Sequence, residues 1–194
     1  MRVITGSLKG RVIPFDVEQH GEIRVTSQRV KKAAFSILGE NLTNTRFLDL
    51  CAGSGQIGLE AASRGAQVVM NEPDKTRHRF IDNLRQSWGV RESVELFGLS
   101  AERLAITLGA EGRCFEIIFL DPPYNDESDG RPLSISLLVK TAATSLSTTP
   151  GLILVQHASK LEMPESVSLH SRLKQRHYGG TALTLYKSDT EDRH

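Results

Sequence analysis

The chain has 194 residues, 39% hydrophobic and 24% charged, with a formal net charge of +1 at pH 7. That length buries a core without staples and suits one domain with a small appendage. No run approaches the ~18 apolar residues of a membrane span, and Met1-Arg2-Val3-Ile4-Thr5 is too short and too strand-like for a signal peptide. Cys51 and Cys114, which the pattern places in buried strands, lack metal-ligand spacing, and the six histidines are scattered. Free thiols in a reducing cytoplasm and no metal are therefore expected. Charge is unevenly spread. Residues 1–40 hold seven Lys/Arg against four Asp/Glu and residues 151–187 five against two, whereas residues 41–150 hold eleven against fourteen. Basic flanks suit a polyanionic partner if they share a face, although from charge alone ordinary solvated faces are the better reading.

In chain order, Arg2-Val3-Ile4 and Arg11-Val12-Ile13 read as a hairpin turning through Ser7-Leu8-Lys9-Gly10. A polar stretch from Asp16 to Glu22 follows. Ser27 then caps a helix with Val30, Ala34, Ile37 and Leu38 on its apolar face, closed by Gly39. From Arg46 the pattern alternates as in an α/β sheet. Strands are predicted at Phe47–Cys51, Gln67–Asn71, Ser93–Phe97, Cys114–Leu120 and Leu152–Gln156. Helices fit at Gln56–Arg64, Asp74–Trp88, Ala101–Leu108 and Leu133–Leu146. Continuous apolar runs such as Ile117-Ile118-Phe119-Leu120 suit parallel strands buried on both faces. After Pro164, Val167–Leu173 and Thr181–Lys187 form an antiparallel hairpin joined through residues 175–180, and the tail from Ser188 to His194 is expected to fray. The expected class is α/β: a mostly parallel, Rossmann-like sheet with a C-terminal antiparallel hairpin, preceded by an N-terminal hairpin and helix. Residues 1–40 form the extension and 41–188 the main domain.

Two motifs carry chemistry. Gly53, Gly55 and Gly58 make a G-x-G-x-x-G turn between a predicted strand and helix, and Glu72 ends the next strand, where it can accept hydrogen bonds from both ribose hydroxyls of an adenosine-bearing ligand. The fingerprint alone does not separate a dinucleotide from S-adenosylmethionine. Asp49, just before the glycines, suits a ligand ammonium, although it also suits capping of local backbone donors. The second motif is Asp121-Pro122-Pro123-Tyr124, directly after the apolar strand. Its prolines end the strand and hold the corner extended, so one carboxylate, one free carbonyl and one flat ring stand together. That set grips an exocyclic amine on a planar base; the structural alternative is a stiffened loop with a surface tyrosine. In an open α/β sheet the first and fourth strands flank the ligand crevice, which places this corner beside the glycine turn.

These residues resemble the class I S-adenosylmethionine-dependent methyltransferases that act on exocyclic amines. More narrowly they resemble the RsmD-type bacterial 16S ribosomal RNA guanine-N2 methyltransferases. The likeness runs from Arg2-Val3-Ile4-Thr5-Gly6 and Lys9-Gly10-Arg11 through Arg24-Val25-Thr26-Ser27-Gln28-Arg29-Val30, Leu48–Gly55, Gly58-Leu59-Glu60-Ala61 and Ser63-Arg64-Gly65-Ala66. The tetrad and Tyr178-Gly179-Gly180-Thr181-Ala182 complete it. The chain departs from the family pattern at Val25, Ser27, Gln28, Cys51, Ser100 and Gln156, but nowhere in the tetrad. The resemblance implies Asp121, Pro122, Pro123 and Tyr124 as catalytic residues. It implies Arg24, Thr26, Asp49, Ala52, Gly53, Ser54, Gly55, Glu72, Ser100 and Ala101 as contacts to S-adenosylmethionine. For RNA contact the two terminal hairpins and the first helix offer Arg2, Lys9, Arg11, Lys31, Arg172, Arg176 and Tyr178, each of which taken alone also reads as an ordinary surface residue. The partner implied is 16S rRNA in the small subunit or its assembly intermediate, met in the cytoplasm by a monomer. The acidic loop Asp126-Glu127-Ser128-Asp129-Gly130 runs against phosphate binding unless it swings aside.

Three other readings use the same motifs. Amino methyltransferases of adenine or cytosine in DNA share the tetrad but carry a sizeable target-recognition region that no insertion here matches. A nicotinamide-dependent oxidoreductase needs a proton donor and substrate domain, neither evident. A non-catalytic RNA-binding assembly factor has no use for Asp49, Glu72 and the tetrad together.

Overall fold

Strand β2 (Gln67–Asn71) is buried at every position after the first, as a strand covered on both faces must be. It is flanked in parallel by β1 (Arg46–Asp49), with Phe47 opposite Val68, and by β3 (Val94–Phe97), with Val68 opposite Val94. The computed structural model describes residues 1–21 and 23–188 and divides into two compact units, Met1–Ala101 and Glu102–His194. The first unit holds this parallel trio, crossed over by α3 (Gln56–Ser63), which is buried along its whole length, and by α4 (Lys75–Ser87). Asp74 caps α4 by accepting from the Thr76 and Arg77 amides.

Ser27 caps α2 (Gln28–Leu38) through the Val30 amide, and Gly39 ends it at φ +110°, as expected. The inward face differs from the predicted one. Ile37 is half-buried, while Lys31 is fully buried beside Val30, Ala34, Phe35 and Leu38. The N-terminal hairpin keeps its expected path but not a ladder, for Arg2–Val12 is a single antiparallel bridge. Ile13 N donates to Met1 O at 2.8 Å and Val3 N to Arg11 O at 2.9 Å. The next amides turn away: Ile4 N donates to Glu60 Oε2 at 2.7 Å and Thr5 N to Glu60 Oε1 at 3.1 Å. Gly6 then lies against the end of α3, where an added Cβ would stand 1.7 Å from the Ser63 carbonyl oxygen. A one-turn helix, α1 (Val17–His20), sits in the polar stretch that begins at Asp16 and is capped by Asp16.

The second unit begins with α5 (Ala101–Ala110), whose Leu104, Ala105 and Leu108 are buried. Strand β4 (Phe115–Leu120) pairs in parallel with β7 (Ser147–Ala158), with Ile118 opposite Ile153. Beyond β7 the sheet turns antiparallel: β10 (Thr181–Ser188) lies on β7, β9 (His170–Tyr178) on β10, and the short β8 (Ser166–Val167) on the start of β9. Helix α6 (Leu133–Ala143) connects β4 to β7, after a two-rung hairpin of β5 (Glu127–Ser128) and β6 (Arg131–Pro132). The parallel strands and the terminal antiparallel hairpin give the expected α/β class.

Three local expectations are corrected. The connection expected over residues 175–180 is only the Gly179-Gly180 turn, because Gln175–Tyr178 pair with β10. Cys51 and Cys114 sit just outside β1 and β4 and are half-buried. Ser188 is not frayed but buried in β10, its Oγ accepting from Gly151 N at 2.8 Å. The rest of the predicted frayed tail, 189–194, lies outside the described residues. Among the described residues no helix is long and apolar enough to cross a membrane.

Glu60 also faces the Arg64 and Lys31 cations, so Glu60→Ala strands two buried charges and two amides. It is expected to lower the unfolding free energy by about 3–5 kcal/mol, read by urea titration. A loss under about 1 kcal/mol would show that the clamp contributes little.

Candidate active site

The glycine turn follows the carboxyl end of β1. Gly53 and Gly55 hold φ of +56° and +77°, which L side chains rarely adopt. At Gly58 a Cβ would stand 2.6 Å from Met70 Cγ, so this glycine sets how closely α3 approaches β2. Gly55 offers no side chain to cap α3, and Asp49 supplies the cap instead: Oδ2 accepts from Gly58 N at 2.9 Å, in the first helical turn. Ala52 N donates to Asn71 O at 2.9 Å, and buried Ser54 donates to Met1 Sδ at 3.6 Å. The Arg24–Thr26 run is brought to the same turn. Gln56 Nε2 donates to Thr26 O at 2.8 Å, and a Cβ on Gly53 would meet Ile23 Cδ1 at 3.2 Å. Thr26 is buried and Arg24 exposed.

Glu72 is tied into this turn. Its Oε2 accepts from Gly53 N at 2.9 Å, and its Oε1 from Asp74 N at 3.0 Å and from Arg77 Nε and Nη2, both at 3.0 Å. Burial pushes the carboxyl above the ordinary glutamate range, opposed by the Asp74 amide, Arg77 and the Gly53 amide. With Oε1 taken by three donors, room for a further donor lies on Oε2. Two side chains here were missed in the sequence. Arg77 follows the capping Asp74 by three positions, which is the signal for it. Asn71 donates from Nδ2 to Leu50 O at 3.3 Å and to Leu99 O at 2.9 Å, and its Oδ1 accepts from Leu99 N at 3.1 Å. It thereby fixes the segment leading to exposed Ser100 and half-buried Ala101.

In the second unit the tetrad leaves the carboxyl end of β4 as irregular backbone. Asp121 and Tyr124 are half-buried, Pro122 buried and Pro123 exposed. The Tyr124 hydroxyl donates to Thr181 Oγ1 at 3.2 Å, on the first residue of β10. Thr181 lies opposite Ala158 on one side and Tyr178 on the other, and Leu183 opposite Gln156 and Arg176. Cross-strand partners share a face, so Tyr178 and Arg176 project from the face that anchors Tyr124.

The expected RNA contacts do not all reach the surface in this way. Lys31 is corrected: it is fully buried, donates from Nζ to Arg2 O at 2.7 Å and lies 3.5 Å from Glu60 Oε2. Its helical position between Val30 and Ala34 turned it inward. Arg172 is half-buried. It pairs across from Tyr186 on the opposite sheet face, donating to Met163 O at 3.0 Å and to Glu165 Oε1 at 3.1 Å. Arg2, Lys9 and Arg11 are exposed, with Arg11 5.5 Å from the centre of the Trp88 ring. They surround a turn that docks on Ser63, the last residue of α3. Eight helical residues, about 12 Å, separate that turn from the glycines.

The acidic loop is tied by side-chain and backbone contacts. Lys140 Nζ, on α6, lies 2.9 Å from Glu102 Oε1 and 2.8 Å from Asp129 Oδ2; Ser128 also donates to Glu102, and Leu133 N closes on Asp126 O at 2.8 Å. Hydrogen bonds from Ser128 and Lys140 hold the Glu102 carboxyl below its ordinary range, Lys140 does the same for Asp129, and both carboxylates raise Lys140. Carboxyls depressed on folding stabilise above their unfolded values and lose that contribution as pH falls. Hydrogen exchange of the Leu133 amide is thus expected to keep constant protection across neutral pH, loosening only below the ordinary carboxylate range. Lys140→Met should speed it about tenfold; equal exchange in variant and wild type would count against the clamp.

Residues 1–187 match the model of the family described as Conserved hypothetical protein 95. The chain is 30% identical to the putative rRNA methyltransferase YlbH of Bacillus subtilis, over 96% of this chain and 98% of that protein. It is 31% identical to ribosomal RNA small subunit methyltransferase D of Escherichia coli, over 64% of this chain and 60% of that one. The solved structure of a putative methyltransferase, yhhF from Escherichia coli, superposes with a TM-score of 0.82 over 97% of this chain and 98% of its own, at 24% identity, and shares the fold. With a family model spanning nearly its whole length, the chain belongs to the Conserved hypothetical protein 95 family, the RsmD family of methyltransferases.

Proposed function

We propose that this protein transfers the methyl group of S-adenosylmethionine to the exocyclic N2 of a guanine in 16S rRNA of the small ribosomal subunit. The observation that carries the reading is the Asp121-Pro122-Pro123-Tyr124 corner at the carboxyl end of β4, with Tyr124 anchored by Thr181. The glycine turn at the carboxyl end of β1, pinned by Glu72, supports the donor half. In open α/β sheets ligands bind at those strand ends. The relatives named as rRNA and small-subunit methyltransferases support the acceptor. In this reading residues 1–40 are an extension on a methyltransferase domain of residues 41–188, working as a cytoplasmic monomer.

The chemistry needs positioning more than activation. Guanine N2 is a poor nucleophile because its lone pair is delocalised into the ring. Hydrogen bonds from its two hydrogens to the Asp121 carboxylate and the Pro122 carbonyl favour a pyramidal nitrogen whose lone pair attacks the sulfonium methyl. The carbon–sulfur bond breaks, S-adenosylhomocysteine leaves, and the methylated nitrogen then passes its newly acidic proton to the Asp121 carboxylate, which releases it to water. Tyr124, its hydroxyl held, offers a fixed ring on which the unstacked base can lie. On the donor side Glu72 Oε2 takes a ribose hydroxyl, and Ser100 stands where the adenine amine would be met.

The decisive experiment mixes purified protein and radiolabelled S-adenosylmethionine with small subunits from a strain lacking the gene. Label is expected on 16S rRNA as N2-methylguanine; label on DNA alone would overturn the assignment. Asp121→Ala is expected to lower kcat roughly 10²-fold or more with S-adenosylhomocysteine binding unchanged. Full activity in that variant would remove the proposed mechanism.

A second expectation concerns pH. Because burial raises the Glu72 carboxyl, S-adenosylhomocysteine affinity should fall as pH drops through a value above the ~4.3 of an exposed glutamate. Calorimetric titration of Glu72→Gln should show affinity about 10–100-fold weaker and no such step. An identical pH profile in that variant would exclude Glu72 as the ribose acceptor.

A further inference from the structure

Strand β9 beyond Arg172, whose amide donates to Glu165 O at 2.7 Å, is a sheet edge. Among the described residues, β8 covers only His170 and Ser171, and the other side of β9 pairs with β10. Along that edge Lys174 stands opposite Leu185, Arg176 opposite Leu183 and Tyr178 opposite Thr181. These are alternate positions, so the three side chains share one face at intervals of about 6.6 Å. It is the face of Thr181, which holds the Tyr124 hydroxyl. Lys174 and Arg176 are exposed, and among the described residues neither forms an ion pair.

Position by position, Arg172 would continue this row. A β-bulge between Leu185 and Tyr186 breaks it, placing Arg172 opposite Tyr186 on the other face, where Glu165 pairs with it. The same strand thus separates a neutralised arginine on one face from two uncompensated cations and an aromatic ring on the other. Charge placed only to keep an edge from pairing with another sheet needs no preferred face. Gln175 and His177, on the opposite face, carry no fixed charge and hydrogen-bond to each other at 3.1 Å.

We infer that Lys174, Arg176 and Tyr178 form a track for the sugar–phosphate backbone and one base of an extended, single-stranded RNA segment leading to Tyr124. This rests on the reading of the tetrad as the amine site. A row of cations along one strand follows a single backbone, and an aromatic ring beside the corner gives the neighbouring base a stacking surface. The chemistry itself requires the target base out of its stack.

The test is binding of a 20-nucleotide single-stranded RNA, and of the same sequence as a duplex, to the full chain with S-adenosylhomocysteine present, followed by fluorescence anisotropy across salt concentrations. For Lys174→Ala/Arg176→Ala, single-strand affinity is expected to fall at least tenfold. The slope of log K against log salt should become shallower by about 1.4, two phosphates at about 0.7 each. Tyr178→Ala should weaken binding about tenfold and Tyr178→Phe restore it. His177→Glu, on the other face, and all variants' S-adenosylhomocysteine affinity should match wild type. An unchanged salt slope, an equal effect of His177→Glu, or wild-type preference for the duplex would overturn the track. Methylation of small subunits by wild type is scored in parallel: its absence overturns the functional reading, whereas methylation with unaltered RNA binding in the double variant overturns the track alone.

Discussion

A single buried carboxylate organises the first unit. Glu60 is fully buried within α3, and its two oxygens accept from the Ile4 and Thr5 amides and from Arg64 Nε and Nη2, at 2.7 to 3.1 Å, with Lys31 Nζ 3.5 Å away. Each donor comes from a different part of the chain. The amides belong to the N-terminal segment and Lys31 to α2, while Arg64 reaches on to Gly39 O at 3.1 Å and covers the Phe35 ring at 4.4 Å. Burial lowers the Lys31 pKa despite the attraction of Glu60. The arrangement is therefore costly in desolvation and cannot be replaced piecemeal, since removing any one charge strands the others. Its effect is registration: α2, the N-terminal segment and α3 have one way of fitting together.

That registration joins two stretches sixty residues apart. Arg2–Gly6 and Gly58–Ala66 carry the family likeness separately in the sequence, and in the fold they are two sides of one contact. Gly6 has no room for a Cβ against Ser63. Ser63 Oγ donates to Thr5 O and accepts from Leu8 N, and Ser7 N donates to Ser63 O. Residues that look like a nucleic-acid signature on charge alone thus include a structural clamp. The exposed cations around it sit at the far end of α3 from the glycine turn.

Most of the sheet was legible because its strands are buried on both faces and bounded by breakers. Gln67–Asn71 was read with its observed limits, and β1, β3 and β4 to within two residues at either end. Helix starts were legible where a capping side chain marks them, at Ser27 and Asp74. What escaped was everything set by long-range pairing. Strand β7 extends five residues before its apolar run, since Ser147 pairs with Phe115. The four polar residues 175–178 are strand because β10 faces them. Lys31 was misplaced because a cation's address depends on the helix face it takes, which is not written in residue type. Thr181, Asn71 and Lys140 act through partners distant in sequence, so composition around the motifs could not single them out, whereas Arg77 lies three positions after its capping Asp74.

The glycine turn shows why a structural and a functional reading of the same carboxylate need not compete. Asp49 caps α3 through Gly58, as a purely local residue would, and Glu72 holds Gly53 and Arg77 before any ligand is considered. A loop with left-handed glycines is conformationally loose unless something fixes it, and ordering it on binding would subtract from affinity. Here the groups expected to meet an adenosine ligand are the groups that fix the loop. Glu72 carries this furthest: its desolvation is partly offset by the Asp74 and Gly53 amides and by Arg77, which keep a buried carboxylate aimed at the turn. One oxygen is committed to that scaffold, and the other faces the turn with capacity for one more donor. The oxygen that holds Gly53 is thus the one with capacity left, so under the proposed function a single residue can support the turn and meet the ligand within it.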